Sequence, residues 1–167
     1  EKLAQSMERT GREASALDEL GRLLGMDTPP MYIEAYDISH QSGEDNVAGM
    51  VVFENGRPLK SAYRKFKIKG FTGQDDYASM AEVIERRLQE YQQNRESGEG
   101  FGRLPDLILL DGGKGQISAV RPVLERAGVD IPLFGMVKDD KHKTRAIAKD
   151  GGEISILSKR KAFTLVS

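Results

Sequence analysis

An uninterrupted apolar run closed by an acidic, glycine-rich turn does most to constrain the fold of this chain. Leu107-Ile108-Leu109-Leu110 has no polar residue, and Asp111-Gly112-Gly113-Lys114-Gly115-Gln116 follows at once. Side chains alternate across a strand, so such a run needs apolar cover on both faces, as in a central strand between two layers. This strand is placed at about 106–110. A helical pattern over about 115–127 comes next, with Gly128 at its C′ position and Pro122 predicting a kink or an interruption. A further strand follows at about 132–137.

The segment before residue 106 has a different rhythm. Leu3, Met7, Ala14, Leu17, Leu20 and Leu24 recur at helical spacing and predict a helix over 1–24, stopped by Gly25 and Pro29-Pro30. Three strands are predicted at 31–38, 47–54 and 58–69. Asn55-Gly56 supplies a two-residue hairpin between the last two. A helix is predicted over 76–94, with Tyr77, Met80, Ile84, Leu88 and Tyr91 along one face, and Glu82 and Glu85 solvated. Residues 94–105, with three glycines and a proline, read as a flexible surface loop. A basic loop and a small hairpin through Asp150-Gly151-Gly152 follow the last strand. The order predicts an α/β fold: a mixed five-stranded sheet, three antiparallel strands and then parallel ones, flanked by helices. The ribonuclease-H-like fold is the prominent architecture of this kind. Residues 1–30 read as a lead helix and linker, and 31–167 as the domain, ending before its last helix is built.

Composition excludes several chemistries. The chain has 167 residues, a net charge of -1, no cysteine and two histidines. It fits one domain with a real core. It has no thiolate zinc site, no thiol nucleophile and no histidine-rich metal site. No apolar run approaches the ~20 residues of a membrane span, and the charged N-terminal segment is unlike a signal peptide. A cytoplasmic protein is the simplest reading.

Two aspartates sit where strands end: Asp37 in Tyr36-Asp37-Ile38, and Asp111. Ligand sites in α/β sheets collect beyond the carboxyl ends of strands. Two carboxylates meeting there repel unless a cation lies between them, which points to a hard divalent metal and phosphate chemistry. The plain alternative for each is a turn or cap role. Asp37 shares a strand face with Ile33 and Ala35, next to the expected core, where an unpaired carboxylate is costly. In the glycine turn, backbone can approach a phosphate, the next helix offers free N–H groups, and Lys114 adds charge. The turn is not a Walker A loop, because Ile108 occupies the first glycine position and Gly115 follows the lysine. Asp75 and Asp76 open the second helix, where a capping role and a functional one are equally open. Arg64, Lys65, Lys67 and Lys69 crowd the third strand, where lysines also protect an edge. Lys138, Lys141, His142, Lys143 and Arg145 follow the last strand at the same carboxyl edge as the two aspartates, and phosphate contact is expected there.

Six ordered blocks complete the picture: Tyr36-Asp37-Ile38-Ser39-His40, Val51-Val52-Phe53 before Asn55-Gly56, Tyr63-Arg64-Lys65-Phe66, Asp75-Asp76-Tyr77-Ala78-Ser79-Met80, Asp111 to Gln116, and Lys138-Asp139-Asp140-Lys141-His142. The chain closely resembles the C-terminal endonuclease domain of UvrC, the incision subunit of the bacterial UvrABC excision nuclease. The resemblance implies a ribonuclease-H-like nuclease that makes the 5′ incision beside damaged DNA, using Mg²⁺ or Mn²⁺. It places the family's catalytic aspartates at Asp37 and Asp111, with both as metal ligands, and a third acidic residue at Asp76. Backbone contacts are expected from Lys114, Gln116, Lys138, Lys141, His142, Lys143 and Arg145 at the carboxyl edge, and the resemblance implies partnership with damaged DNA and, through a segment absent from this chain, with UvrB. The family's catalytic histidine lies on a helix expected beyond Ser167, so the isolated fragment is expected to be weakly active or inactive. Two other readings remain: a non-catalytic nucleic-acid or protein docking module of the same fold, and a nucleotide-binding domain using the glycine turn.

Overall fold

The computed structural model describes residues 14–40, 46–69, 75–138, 144–149 and 152–155. Residues 1–13 of the predicted lead helix, residues 41–45, 70–74 and 150–151, residues 139–143 with Lys141, His142 and Lys143, and the chain after Ser155 lie outside the described residues.

Helix α1 covers residues 14–23. Strands β1 (Tyr32–His40), β2 (Asn46–Glu54), β3 (Arg57–Pro58) and β4 (Arg64–Lys67) follow. Then come α2 (Asp76–Asn94), β5 (Leu107–Asp111), α3 (Lys114–Ala127), β6 (Leu133–Lys138), β7 (Thr144–Lys149) and β8 (Gly152–Ser155). The sheet order is β3-β2-β1-β5-β6-β7-β8, with β4 also on β2. β1 is antiparallel to β2 and parallel to β5, and β5 is parallel to β6. The predicted mixed sheet is therefore present, but with eight strands among the described residues instead of five. The extra ones have two sources. The third predicted strand breaks into β3 and β4 around a 3-10 turn at Lys60–Ala62, both pieces lying along the same edge of β2. The C-terminal hairpin joins the sheet, because β7 pairs antiparallel with β6.

Each face of the sheet has its own core. Tyr32, Tyr36, Met50, Val52, Ile108, Leu110 and Leu133 pack under α2 and α3. Ile33, Ala35, Leu107, Leu109 and Ile147 pack under Leu17, Leu20 and Leu24 of the α1 segment. Burying three leucines contributes roughly 1.5–3 kcal/mol each, which ties the lead helix into the same fold. α3 runs through Pro122 without interruption. Proline removes one N–H, whose partner would be Ser118 on the exposed side of the helix, so the defect falls at the surface.

The predicted face of α2 was incomplete. Its buried residues are Ser79, Met80, Val83, Ile84, Arg87 and Leu88, whereas Tyr77 is 55% exposed. Arg87 is fully buried and forms a fork with Glu34 of β1, its Nη2 2.9 Å from Glu34 Oε2 and its Nε 2.9 Å from Oε1. Arg87 also donates to the carbonyls of Phe101 and Arg103. The loop read as flexible is thereby pinned to α2. Glu82 is likewise not merely solvated: it accepts from the Lys69 N–H and pairs with Arg86.

Candidate active site

Strand periodicity builds the site. Ile33 and Ala35 face α1, so Asp37, two residues on, points to the same side; Leu107 and Leu109 carry Asp111 there in the same way. The β1–β5 register pairs Tyr36 with Leu110, so the next residues on each strand, Asp37 and Asp111, stand side by side. Phe134 and Met136 put Lys138 on this face too, at the end of β6. α1 covers the earlier rows of the sheet and leaves this row open. Asp37 accordingly stands exposed at the rim beside the core, on the face of Ile33 and Ala35 that strand alternation predicts.

The electrostatics follow from that geometry. Asp37's pKa is raised above its ordinary value, first by partial desolvation against the surrounding protein and second by the charge of Asp111. Lys138 and backbone hydrogen bonds from Asp37 and Gly49 act in the opposite sense. The Lys138 ammonium lies 3.4 Å from Asp111 Oδ1. Two carboxylates and one lysine thus share one open corner.

Two glycines that the sequence reading passed over shape this corner. Gly49 of β2 sits directly across from Asp37. A Cβ built on Gly49 would meet Asp37 Oδ1 at 2.6 Å, so the carboxylate leans over bare backbone. Gly135 of β6 plays the matching part for the turn after β5, since its Cβ would strike the Gly112 carbonyl. Neither carries a local sequence signal; each acts only through a neighbouring strand. Gly49→Ala is expected to shift the Asp37 carboxylate, and a misplacement of about 1 Å at a reacting group costs up to about a hundredfold in rate. The melting temperature should barely change, as a solvent-open carboxylate can rotate aside. Divalent-ion titration read beside thermal unfolding checks this.

The remaining predicted residues divide. Lys114 is exposed at the first position of α3, whose N-cap Gly113 provides no side-chain cap. Gln116 is buried against Gly112, and among the described residues its Oε1 has no hydrogen-bond partner. Asp75, not Asp76, caps α2, accepting from the Ala78 N–H at 3.0 Å. Asp76 follows in the first turn, and Tyr77 lays its hydroxyl against Gly115, joining the starts of α2 and α3. Among the described residues, no three acidic or histidine side chains gather closely enough to hold an ion, so Asp76 does not join Asp37 and Asp111 in a triad. Lys141, His142 and Lys143 lie outside the described residues, and Arg145 is placed only by its backbone in β7.

The donor set fits a hard divalent cation: paired carboxylate oxygens, open to solvent, with room for retained waters. Residues 21–167 match the family model described as the UvrC RNAse H endonuclease domain. The chain belongs to this family. It is 49% identical over 164 residues to UvrABC system protein C of Thermoanaerobacter pseudethanolicus, covering 93% of this chain and 26% of the relative. It is 48% identical over 145 residues to UvrABC system protein C of Clostridioides difficile, covering 87% of this chain and 22% of the relative. The chain thus spans about a quarter of the length of these curated relatives. Among solved structures it is similar to Ciona intestinalis Endonuclease V in complex with inosine-containing DNA, at 19% identity and a TM-score of 0.47, covering 81% of this chain and 58% of that one. Within the UvrC domain family the meander followed by parallel strands is the ribonuclease-H-like arrangement. Among the described residues, no helix is long and apolar enough to cross a membrane.

Proposed function

We propose that this UvrC-family domain hydrolyses a DNA phosphodiester for the 5′ incision beside a lesion, with Asp37 and Asp111 holding Mg²⁺ or Mn²⁺. The observation that carries the reading is the pairing of these two carboxylates on neighbouring parallel strands, at the open end of the sheet. A bound divalent ion supplies charge stabilisation at the phosphate and a more acidic water. The chain's own residues do the rest. Gly49 gives the Asp37 carboxylate its space, and Lys138 holds Asp111 in place. Lys114, at the positive end of the α3 dipole, neutralises and positions the backbone. Lys141, His142, Lys143 and Arg145, next in the sequence, extend that contact in this proposal. Asp76, outside the carboxylate pair, acts in this proposal from the start of α2 and not as a metal ligand. Contacts of this kind carry no sequence information, which suits an enzyme that must cut wherever damage lies.

Partnership with UvrB and damaged DNA, a cytoplasmic setting, and a catalytic histidine downstream of Ser167 belong to the same proposal. Incision is therefore to be measured on a longer protein that carries this domain. Chelation with EDTA is expected to abolish nicking, and Mg²⁺ or Mn²⁺ to restore it. Nicking that persists undiminished in EDTA removes the metal from the reading.

The Lys138–Asp111 contact favours one competing view, in which an ion pair takes the cation's place and the domain only docks nucleic acid or protein. Calorimetry separates the two. Mg²⁺ or Mn²⁺ binding that vanishes in Asp37→Ala supports the nuclease reading, and no binding to the wild-type chain supports docking.

A further inference from the structure

The row of residues that contains Asp37 does not stop at Gly49. Lys65 of β4 lies directly opposite Gly49, which lies directly opposite Asp37, which stands beside Asp111. Lys67 lies one row further on, opposite Val47, which pairs with Ser39. Between them Phe66 is buried in the core under α2. Alternation therefore sends Lys65 and Lys67 to the opposite face, the one that bears the two aspartates. Both lysines are exposed. Resting on the nuclease reading above, we infer that Lys65 and Lys67 form a second phosphate-binding track, along which the substrate strand leaves the two aspartates and crosses β2 at Gly49.

The dimensions suit a nucleic-acid backbone. β4 is two inter-strand spacings from β1, roughly 10 Å. One nucleotide of a duplex strand advances about 3.4 Å along the helix axis and further along its backbone, so the lysine stems start within about three nucleotides of the aspartates. A flexible four-carbon stem with a compact charge covers the remainder. Gly49 leaves the intervening floor without a side chain. The charge pattern also has a direction. Bare carboxylates repel a phosphate chain, and cationic groups on either side, Lys138 and Lys114 on one and Lys65 and Lys67 on the other, attract it. The ordinary alternative is that lysines on the edge strand β4 merely discourage pairing with another sheet. That role places no demand on DNA affinity.

Salt dependence decides between them. Binding of duplex DNA to the chain is measured by fluorescence anisotropy between about 50 and 200 mM salt. Each phosphate contact contributes about 0.9 to the slope of log affinity against log salt. The Lys65→Ala/Lys67→Ala pair is expected to reduce the slope by up to about 1.8, and Lys65→Arg/Lys67→Arg to retain it. An unchanged slope in the alanine pair overturns the track. The outcome is independent of the nuclease assignment. If the slope is unchanged while Asp37→Ala abolishes incision in the longer protein, only the track falls. If the slope drops while Asp37→Ala still incises normally, the track stands as a DNA surface and the assignment of the aspartates falls.

Discussion

Replacing Asp37 with alanine should reduce incision by about a thousandfold or more in a longer protein carrying this domain. A metal's charge stabilisation of the transition state is worth several kcal/mol, and each 1.36 kcal/mol is tenfold in rate. Single-turnover nicking of lesion-bearing DNA reads the loss, and wild-type rates in the variant would sink the assignment. The stability of the same position should move the other way. Desolvation and the Asp111 charge raise the folded-state pKa of Asp37 above its ordinary 3.8. Between the unfolded and folded values the native state therefore binds more protons, so stability falls as pH rises through that window. The penalty is fully present at neutral pH and is relieved below about 3.8. In metal-free buffer, Asp37→Asn should melt at a higher temperature than wild type at pH 7, and the gap should close as pH falls through that window. A variant that is less stable at pH 7 would show that desolvation and the Asp111 charge do not destabilise the ionised group. Loss of activity with gain of stability is the mark of a site held together for chemistry and not for folding.

The largest effect on folding is expected at Arg87, well away from the two aspartates. Its guanidinium is 1% exposed and forks onto Glu34, equally buried, while Tyr36 also donates to Glu34 Oε1. Removing one partner of such a pair strands a charge in the core and costs about 3–5 kcal/mol. Arg87→Met should therefore lose a large share of the total stability in urea unfolding. It should also free the loop at 100–103, whose Phe101 and Arg103 carbonyls depend on the same side chain. Glu34→Leu/Arg87→Met removes both charges and should cost far less than the sum of the single changes. That non-additivity is what identifies a coupled pair. Additive losses would mean that each side chain matters only for its own packing.

Glu34 and Arg87 also show where reading the chain reached its limit. Each breaks an apolar pattern by itself: Glu34 lies between Tyr32 and Tyr36, and Arg87 follows Val83 and Ile84 on the inward face of α2. Read separately they are a strand residue and a helix residue. Only their meeting across 53 positions explains both. The split of the third strand was hidden for a similar reason, since β3 and β4 pair with β2 at opposite ends and the backbone must leave the edge between them.

Local periodicity was enough to set the order of helices and strands, the bounds of α2 at Asp76–Asn94, the central strand β5 and the placing of Asp111 at its end, whereas β1 runs on past Asp37 to His40. Those features depend on which side of a pleat or helix each residue faces, and that is written in the spacing of apolar side chains. Tertiary structure decided the rest: that one register step sets the two carboxylates side by side, that Gly49 and Gly135 make room for them and for the adjoining turn, and that Lys65 shares their row. Such juxtapositions come from hydrogen-bonded register between strands far apart in the chain, and no local pattern encodes that register.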